Sequence, residues 1–325
     1  DDLARPLHDD LVARYPTQPA VERMDQAWRA HRGWQLKAWT DIGRSSGGGG
    51  TSPLGNNDRH YGVDVETPVL DDRWRLFALA DRRVTDFQDQ RIDPLWLGAG
   101  VRYRFGQLDA EAAVLRANDH IGDTGLRVGV GWQFNDSWHA GVVVARNDPE
   151  ASMQARAAGI TADSVSAQVD YRRSELTHWT FGASRFRYDD GNHRELFGTS
   201  VQQRLLTRPR WLVDGLASAY TSRGSRDDAP YFNPKRDRMV EIGLRIDQQL
   251  WRHYERHFRH RLTVSLGDYW QDGFGSALVP SVSYMHEWQL GPGRVFEYGV
   301  RWSRPVYEGH RERHMGFEAA LRWGD

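Results

Sequence analysis

The sequence contains no cysteine, so disulfide bonds and thiolate metal sites cannot hold this fold together. It also lacks any run near the length of a transmembrane helix, which needs about eighteen consecutive apolar residues. An excess of basic charge is missing too, because a net charge of −1 excludes a strongly basic nucleic-acid binder by bulk charge. The mean hydropathy is −0.71, yet the chain has 14 tryptophans and 12 tyrosines. A membrane β-barrel is compatible with these totals, because only every second strand residue meets lipid.

Motifs of familiar catalytic sites are absent, incomplete or out of context. The glycine-rich residues 47–50 are not followed by Lys-Ser/Thr, so a mobile external loop is predicted there rather than a phosphate loop. The G-x-S-x-G match from Gly43 to Gly47 adjoins the same glycine-rich stretch, which no helix follows, so it does not indicate a serine hydrolase. His253, His257 and His260 have the spacing of metal ligands on one helix face, but they lie among arginines and lack the glutamate of H-E-x-x-H. A basic turn near phospholipid headgroups is preferred, and neither an enzyme nor a cofactor is predicted.

What the sequence does contain is a regular alternation of apolar and polar residues, clearest on either side of Gly106. From Leu95 to Phe105 every odd position is apolar, and after Gly106 the parity switches. This pattern predicts two strands joined by a tight two-residue turn, each apolar on one face and polar on the other. The predicted register places Arg104 opposite Asp109 and Arg102 opposite Glu111.

The same unit repeats along most of the chain, giving about sixteen strand candidates, the even number expected of a single-chain bacterial barrel. Strands of about ten residues are long enough to cross a bilayer when tilted. We therefore predict an all-β fold, a sixteen-stranded antiparallel transmembrane β-barrel of the outer-membrane type, over residues 34–325. The predicted strands begin at Trp34, Asp58, Asp72, Pro94, Leu108, Gly122, Ser137, Ser164, Leu176, Asn192, Arg210, Arg236, Phe258, Ala277, Arg294 and His310.

The connections between these strands alternate in length. Those after odd-numbered strands include long ones, such as 44–57 and 148–163, whereas those after even-numbered strands are mostly short, with 250–257 as an exception. Outer-membrane barrels have short periplasmic turns and longer extracellular loops, so both barrel ends are predicted to be periplasmic. Tryptophans near the short turns are predicted to form an aromatic girdle: Trp34, Trp74, Trp132, Trp138, Trp211, Trp251, Trp288 and Trp323.

Residues 1–33 are the only stretch with helical periodicity. Pro16 is predicted to end a first helix, Thr17 to cap a second, and Gly33 to close it. Two short amphipathic helices cannot bury their apolar faces alone, so we predict the end of a periplasmic TPR-like helical-repeat region. A stand-alone plug or cap is the alternative. The chain begins without a signal peptide or initiator methionine, so an upstream portion is expected.

Strand parity also assigns charged side chains to the lumen. Mixed charge in a barrel interior usually braces neighbouring strands. The functional alternative is that an excess of carboxylates lines a path for a neutral or cationic polymer, with Tyr269 and Trp270, or aromatic residues of the loops, stacking on sugar rings. The predicted inward acids are Asp64, Glu66, Asp109, Glu111, Asp170, Glu241, Asp247, Glu297 and Glu318, and the arginines sharing their face are Arg102, Arg104, Arg127, Arg172, Arg245, Arg301 and Arg322.

These acids do not rank equally as polymer contacts. Asp109 and Glu111 are expected to be paired with arginines across the opening hairpin, where such pairs fix register and cancel charge. Asp247, Glu297 and Glu318 therefore rank above them.

Several stretches resemble the poly-N-acetylglucosamine export porin family of Gram-negative bacteria (PgaA/HmsH type). VARYPTQPAVERMDQAWRAHRGWQLKAWTDIGRSSGG is similar to that family's join between its helical repeats and its barrel. Further similar stretches are VETPVLDDRWRLFA at Val65, PYFNPKRD at Pro230 and RPVYEGHRE at Arg304. One departure is at the end of the sequence, where Gly324-Asp325 follow Trp323, because such barrels commonly end on an aromatic residue.

The resemblance implies a barrel that passes partly deacetylated poly-N-acetylglucosamine to the cell surface for biofilm. It also implies a surrounding outer-membrane lipid bilayer, an upstream periplasmic repeat domain that meets a polysaccharide deacetylase, and an electronegative lumen built from the inward acids. Three alternatives stay open: a general diffusion porin, an outlet for another polysaccharide such as cellulose, and an outer-membrane enzyme.

Overall fold

A computed structural model describes residues 4–47, 52–87, 89–122 and 124–324. Sixteen antiparallel strands form one closed barrel, because the first strand pairs with both the second and the last. The predicted fold class is confirmed. The strands are β1 (Gln35–Ser46), β2 (Asn57–Glu66), β3 (Trp74–Asp86), β4 (Leu95–Phe105), β5 (Leu108–Ala117), β6 (Gly125–Asn135), β7 (Trp138–Arg146), β8 (Ala162–Ser174), β9 (Thr177–Tyr188), β10 (His193–Arg208), β11 (Trp211–Gly224), β12 (Asp237–His253), β13 (Arg256–Gln271), β14 (Gly275–Gly291), β15 (Arg294–Ser303) and β16 (Arg313–Trp323), with two-residue strand segments Arg91–Ile92, Val306–Tyr307 and His310–Arg311 in the connections.

The alternation of apolar and polar residues decides which side chains face outward. The β4–β5 hairpin has the predicted register, with Arg104 opposite Asp109 and Arg102 opposite Glu111. Its apolar side chains point away from the barrel axis, and Leu97 is 57% exposed. Large apolar side chains on the outside with charged ones inside would be unfavourable in water, whereas lipid buries that outer face.

The two ends of the barrel differ. At one end, hereafter the turn end, successive strands are joined by short turns, and β1 begins and β16 ends there. The other end, the loop end, carries the long connections. Residues 47–50, predicted to be a mobile loop at this end, lie almost entirely outside the described residues. Seven of the predicted girdle tryptophans are exposed at the turn end: Trp34, Trp74, Trp132, Trp138, Trp211, Trp251 and Trp323.

The predicted long connection at 250–257 is wrong. Strands β12 and β13 continue to His253 and from Arg256, leaving Tyr254 and Glu255 as a two-residue turn. Tyr254 has a φ of 53°, the left-handed backbone conformation that such a tight turn requires. A charged stretch can extend a strand here because it projects from the apolar band into water.

The three histidines of this hairpin do not share a helix face. His257 Nε2 lies 3.7 Å from Glu287 Oε1 on the inner face. His260 is on the outer face, with its Nδ1 2.6 Å from the Tyr284 hydroxyl. The helical spacing that could suit a metal therefore does not exist in three dimensions, and the described ranges contain no cluster of three or more potential metal ligands.

Strand β3 has apolar residues at both parities because part of its inner face is covered. Phe77 is 4% exposed and packs in the lumen with Leu115 and with Trp96, which is fully buried. Buried apolar side chains inside a barrel need something to exclude water from them. A loop at the loop end, described below, provides that cover.

The N-terminal residues form two helices, α1 (Ala4–Arg14) and α2 (Pro19–Arg32), at the turn end. The predicted cap at Thr17 is wrong, because Gln18 holds the N-cap position and makes no side-chain capping bond. Gly33 ends α2 as predicted, and its N–H donates to the Arg29 carbonyl. Whether these helices terminate a repeat array stays a prediction. Within the described residues no helix is both long enough and apolar enough to cross a membrane.

Polar contacts dock α2 on the barrel. Val69 N–H donates to the Arg32 carbonyl over 3.0 Å, and Arg75 Nη1 donates to the Gly33 carbonyl over 3.0 Å. Asp72, in the turn between β2 and β3, accepts from both Arg5 and Arg32. Burial raises the pKa of the Asp72 carboxyl, but the two arginines outweigh this effect and leave the pKa below its usual value.

The lowered pKa of Asp72 predicts that helix docking resists mild acid. An acid whose pKa is lower in the folded chain than in the unfolded chain stabilises the folded chain. That stabilisation is complete above the pKa of the unfolded chain, 3.8, and is lost as the pH falls through the pKa of the folded chain. We expect spin labels at Gln26 and Glu255 to keep one short separation from pH 7 to pH 5 and to spread only in stronger acid. The cysteine-free chain makes such labels site-specific.

Asp72→Asn should broaden the distance distribution between these labels at pH 7, whereas Asp10→Asn, which removes an exposed ion pair within α1, should not. A single narrow separation in Asp72→Asn would contradict the assignment.

Candidate functional site

A cavity with a volume of about 810 Å³ lies inside the barrel. It extends from His31 and Gln35 at the turn end to Ser184 and Leu196 on β9 and β10. Inward side chains of β4 to β9 line most of its wall. Glycines at inward positions, such as Gly129, Gly131 and Gly141, widen this part of the lumen because they place no side chain there.

The cavity wall is charged but balanced. Its five carboxylates, Glu66, Asp72, Asp109, Glu111 and Asp170, face five guanidinium groups, Arg73, Arg75, Arg102, Arg104 and Arg127. The expected excess of carboxylate is therefore absent from this cavity. Strand parity predicts which acids point inward, but it does not predict how many arginines line the same cavity.

Arg102 is the centre of the ion pairs on this wall. Its Nη2 donates to Asp64 Oδ2 over 2.8 Å, its Nε donates to Glu111 Oε2 over 2.8 Å, and its Nη1 donates to Glu66. The guanidinium also lies over the Phe77 ring, 4.1 Å from the ring centroid. The predicted pair of Arg102 with Glu111 is confirmed, and one cation holds three carboxylates from two strands, β2 and β5.

Asp109 does not pair with the arginine opposite it. Its Oδ1 lies 3.3 Å from His139 Nε2, two strands away, rather than near Arg104. Gly131 on the intervening strand permits this reach, since a Cβ there would lie 2.4 Å from Asp109 Oδ2. The Asp109 side chain is 47% exposed in the lumen. The expectation that Asp109 is neutralised by Arg104 is therefore wrong, and it is open to the cavity.

Asp170 lies on the same wall but is held more firmly. Its carboxylate accepts from Gln168 over 2.7 Å and from Thr180 over 2.9 Å, and it lies 3.2 Å from His178 Nε2. The side chain is 24% exposed.

The acids ranked highest from the sequence lie elsewhere on the barrel wall, and most are engaged. Asp247 is 7% exposed, 2.7 Å from Arg261 Nε and 3.9 Å from Arg245 Nε. Such a group braces strands. Glu297 Oε2 accepts from Arg322 over 3.1 Å, and Glu241 accepts from the Ser265 hydroxyl.

Glu318 differs from these three acids in its exposure. Its nearest cation is Arg301 at 3.7 Å, and its side chain is 36% exposed. The predicted rank order is therefore changed, and Asp109 and Glu318 are the more accessible acids.

The two predicted stacking aromatics do not share the lumen. Trp270 faces outward and lies under the Arg238 guanidinium, 4.8 Å from the ring centroid. Its predicted place on the lumen wall is wrong, because adjacent residues of a strand point to opposite faces. Tyr269 does point inward but is only 5% exposed, packed with Val279 and Val306. Neither ring offers a free face to a polymer in this structure.

The long connection predicted at 148–163 folds over the lumen at the loop end, and the sequence did not show which loop would do so. Residues 147–161, hereafter the inserted loop, connect β7 and β8 and contain a short helix, α3 (Met153–Ala157). The Ser152 hydroxyl caps α3 by accepting from the Ala155 N–H, and Ala155 is fully buried. Gln154 links this helix to two other loops, donating to the Ser52 carbonyl and accepting from the Phe232 N–H.

Arg156 anchors the inserted loop in the barrel. Its side chain is 7% exposed and makes a bidentate contact with Asp119, with distances of 2.6 and 2.7 Å. It also lies over the Trp96 ring at 4.4 Å and donates to the Ile121 carbonyl over 2.9 Å. Burial raises the pKa of the Asp119 carboxyl, but Arg156 outweighs it and holds the pKa below the usual value. One sequence signal was available: Trp96 is a large apolar residue at an inward position.

Comparisons with known proteins agree with this architecture. The family model of the PgaA membrane β-barrel domain matches residues 30–323. The poly-β-1,6-N-acetyl-D-glucosamine export proteins of Escherichia coli K12 and of Escherichia coli O157:H7 are each 28% identical over 322 residues, which is 96% of this chain. The chain spans 38% of the length of these curated relatives.

A solved structure supports the same fold. A bacterial polysaccharide outer membrane secretin superimposes with a TM-score of 0.82 and 23% identity, covering 91% of this chain and 99% of the secretin chain. The chain lies in the outer membrane of a Gram-negative bacterium, with its turn end toward the periplasm and its loop end toward the cell exterior. Because the family model matches nearly the whole barrel, the chain belongs to the PgaA membrane β-barrel family.

Proposed function

We propose that this barrel exports a linear polysaccharide, partly deacetylated poly-N-acetylglucosamine, to the cell surface for the biofilm matrix. The observation that carries the proposal is the polar cavity of about 810 Å³. This cavity reaches His31 and Gln35 at the turn end, and its wall carries acidic side chains and arginines in equal number. The names of the relatives, an export protein for this polymer and a polysaccharide secretin, support the substrate class. No enzymatic role is proposed.

The balance of charges suits a polymer that must bind and then leave. Asp64, Glu66 and Glu111 are largely satisfied by Arg102, so they attract a passing amine only weakly. Asp109 and Glu318 have more accessible carboxylates and can accept from free amines or hydroxyl groups of the sugar. Conduction requires contacts that are favourable yet easily broken, which many weak sites provide.

The N-terminal helices fit the entrance of such a path. They dock beside the turn end, and His31 of α2 contributes to the cavity wall. We propose that α1 and α2 are the last helices of a periplasmic repeat region that receives the polymer from a polysaccharide deacetylase. The docking contacts of Asp72 then fix the direction from which the polymer enters.

Replacing the accessible lumen acids tests the proposal. Asp109→Asn combined with Glu318→Gln should lower surface polymer about threefold, because each screened contact contributes roughly 0–1 kcal/mol. Surface polymer is measured with a polymer-specific antibody and folded barrel by its heat-modifiable migration on a gel. Glu195→Gln is the matched control, since Glu195 faces away from the lumen beside Arg185.

Measuring the binding of short oligosaccharides distinguishes a partly deacetylated polymer from a neutral one. The double variant should bind oligomers that contain glucosamine more weakly than the parent chain does, with little change for fully acetylated oligomers. Equal effects on both oligomers would favour an outlet for a neutral polysaccharide such as cellulose. Unchanged export together with unchanged binding would contradict a role for these acids.

A further inference from the structure

The outer surface of the barrel carries a groove where the last strands meet the first. The groove has a volume of about 460 Å³ and crosses β14, β15, β16, β1 and β2. Its outward side chains include Val300, Met315 and Phe317, which are 55%, 58% and 40% exposed. The floor is therefore apolar and matches the hydrocarbon part of a lipid in shape and chemistry.

Two arginines border this groove on its loop-end side. Arg44 of β1 stands opposite Asn57 of β2, and Ile42 stands opposite Arg59, so the two arginines are diagonal neighbours. Diagonal side chains on one face of a sheet are about 7–8 Å apart at their backbones, within reach of one shared anion. Both side chains are exposed and point outward.

Neither arginine has an ion pair or side-chain hydrogen bond with any residue in the described ranges. Two other outward arginines near the loop end, Arg82 and Arg185, lie beside acids. Arg82 makes a bidentate contact with Asp93 at 2.7 and 2.8 Å, and Arg185 lies 3.7 Å from Glu195. Two neighbouring cations repel each other, so an anion from outside the chain that lies between them would stabilise both.

We propose that this groove binds a phosphorylated, acylated glycolipid of the outer leaflet, the lipid A part of lipopolysaccharide. Its phosphate would lie between Arg44 and Arg59, because guanidinium groups suit bidentate phosphate binding. One acyl chain would lie along Val300, Met315 and Phe317. The loop end faces the cell exterior, which puts the two arginines at the level of the outer-leaflet headgroups. This site does not depend on what passes through the lumen.

Lipid titration of the purified chain in detergent tests the site. Native mass spectrometry would count bound diphosphoryl lipid A, dephosphorylated lipid A and phosphatidylglycerol in separate titrations. We expect diphosphoryl lipid A to bind best and Arg44→Gln/Arg59→Gln to weaken it about tenfold. Arg185→Gln should leave its affinity unchanged, since this matched arginine is compensated by Glu195.

Two results would overturn the proposal. One is an unchanged affinity for diphosphoryl lipid A in the double variant, with heat-modifiable migration showing that the barrel is folded. The other is equal binding of all three lipids by the parent chain, which would make the groove an ordinary lipid contact. Retained binding of dephosphorylated lipid A by the double variant, with loss of the diphosphoryl preference, would support the assigned arginine–phosphate contact.

Discussion

Arg156→Ala should convert a barrel with little steady ion current into one that conducts. The substitution removes the bidentate contact with Asp119 and the guanidinium from the Trp96 ring, and it leaves a carboxylate without its cation. Hydrogen bonds to charged groups contribute roughly 1.5–3 kcal/mol each, so losing two of them shifts the closed-to-open ratio by more than tenfold. We expect mean conductance in planar bilayers to rise on the order of tenfold.

A half-buried arginine outside the inserted loop provides the control for this experiment. Arg226 pairs with Asp228 on the outer loop between β11 and β12, and Arg226→Ala should leave the current unchanged. Because Arg156 depresses the pKa of Asp119, the contact is complete above the unfolded value of 3.8 and is lost only in stronger acid. The parent chain should therefore stay closed between pH 5 and pH 7. A low current in folded Arg156→Ala would refute the assignment of the inserted loop as the barrier.

Arg102→Gln should produce the largest loss of stability in the barrel wall. Without its guanidinium, Asp64, Glu66 and Glu111 would face one another with no central cation. Breaking a fully buried pair costs about 3–5 kcal/mol, but this side chain is 30% exposed and the lumen is polar. After allowing for solvent screening, we expect the free energy of unfolding to fall by about 2 kcal/mol in urea titrations.

Partial rescue distinguishes lost charge balance from lost packing. Adding Glu66→Gln to Arg102→Gln should recover part of the stability, because one fewer carboxylate is then left unpaired. Arg127→Gln is the control, since Arg127 is 48% exposed and makes a longer contact of 3.4 Å with Glu111. The proposed role of Arg102 would be wrong if its variant unfolded at the same urea concentration as the Arg127 variant.

The facing of strand residues could be predicted from the sequence, whereas their side-chain partners could not. The β4–β5 register was correct to the residue, because a tight turn and two-residue periodicity leave few alternatives. Asp109 shows the limit, since register places Arg104 opposite but Gly131 allows contact with His139 instead. Trp270 was an error that parity alone could have corrected, because its neighbour Tyr269 faces inward.

By itself, the sequence determined the barrel, the number of strands, the outward apolar face and the two kinds of connection. Each of these depends on periodicity and local turn chemistry, which a linear pattern records. Only the tertiary structure decided that the lumen is balanced in charge, that Asp247 is buried while Asp109 is open, and that Arg156 anchors the inserted loop on Trp96. Closing the sheet brings together residues far apart in the chain, and which charges meet there depends on three-dimensional distance rather than on sequence spacing.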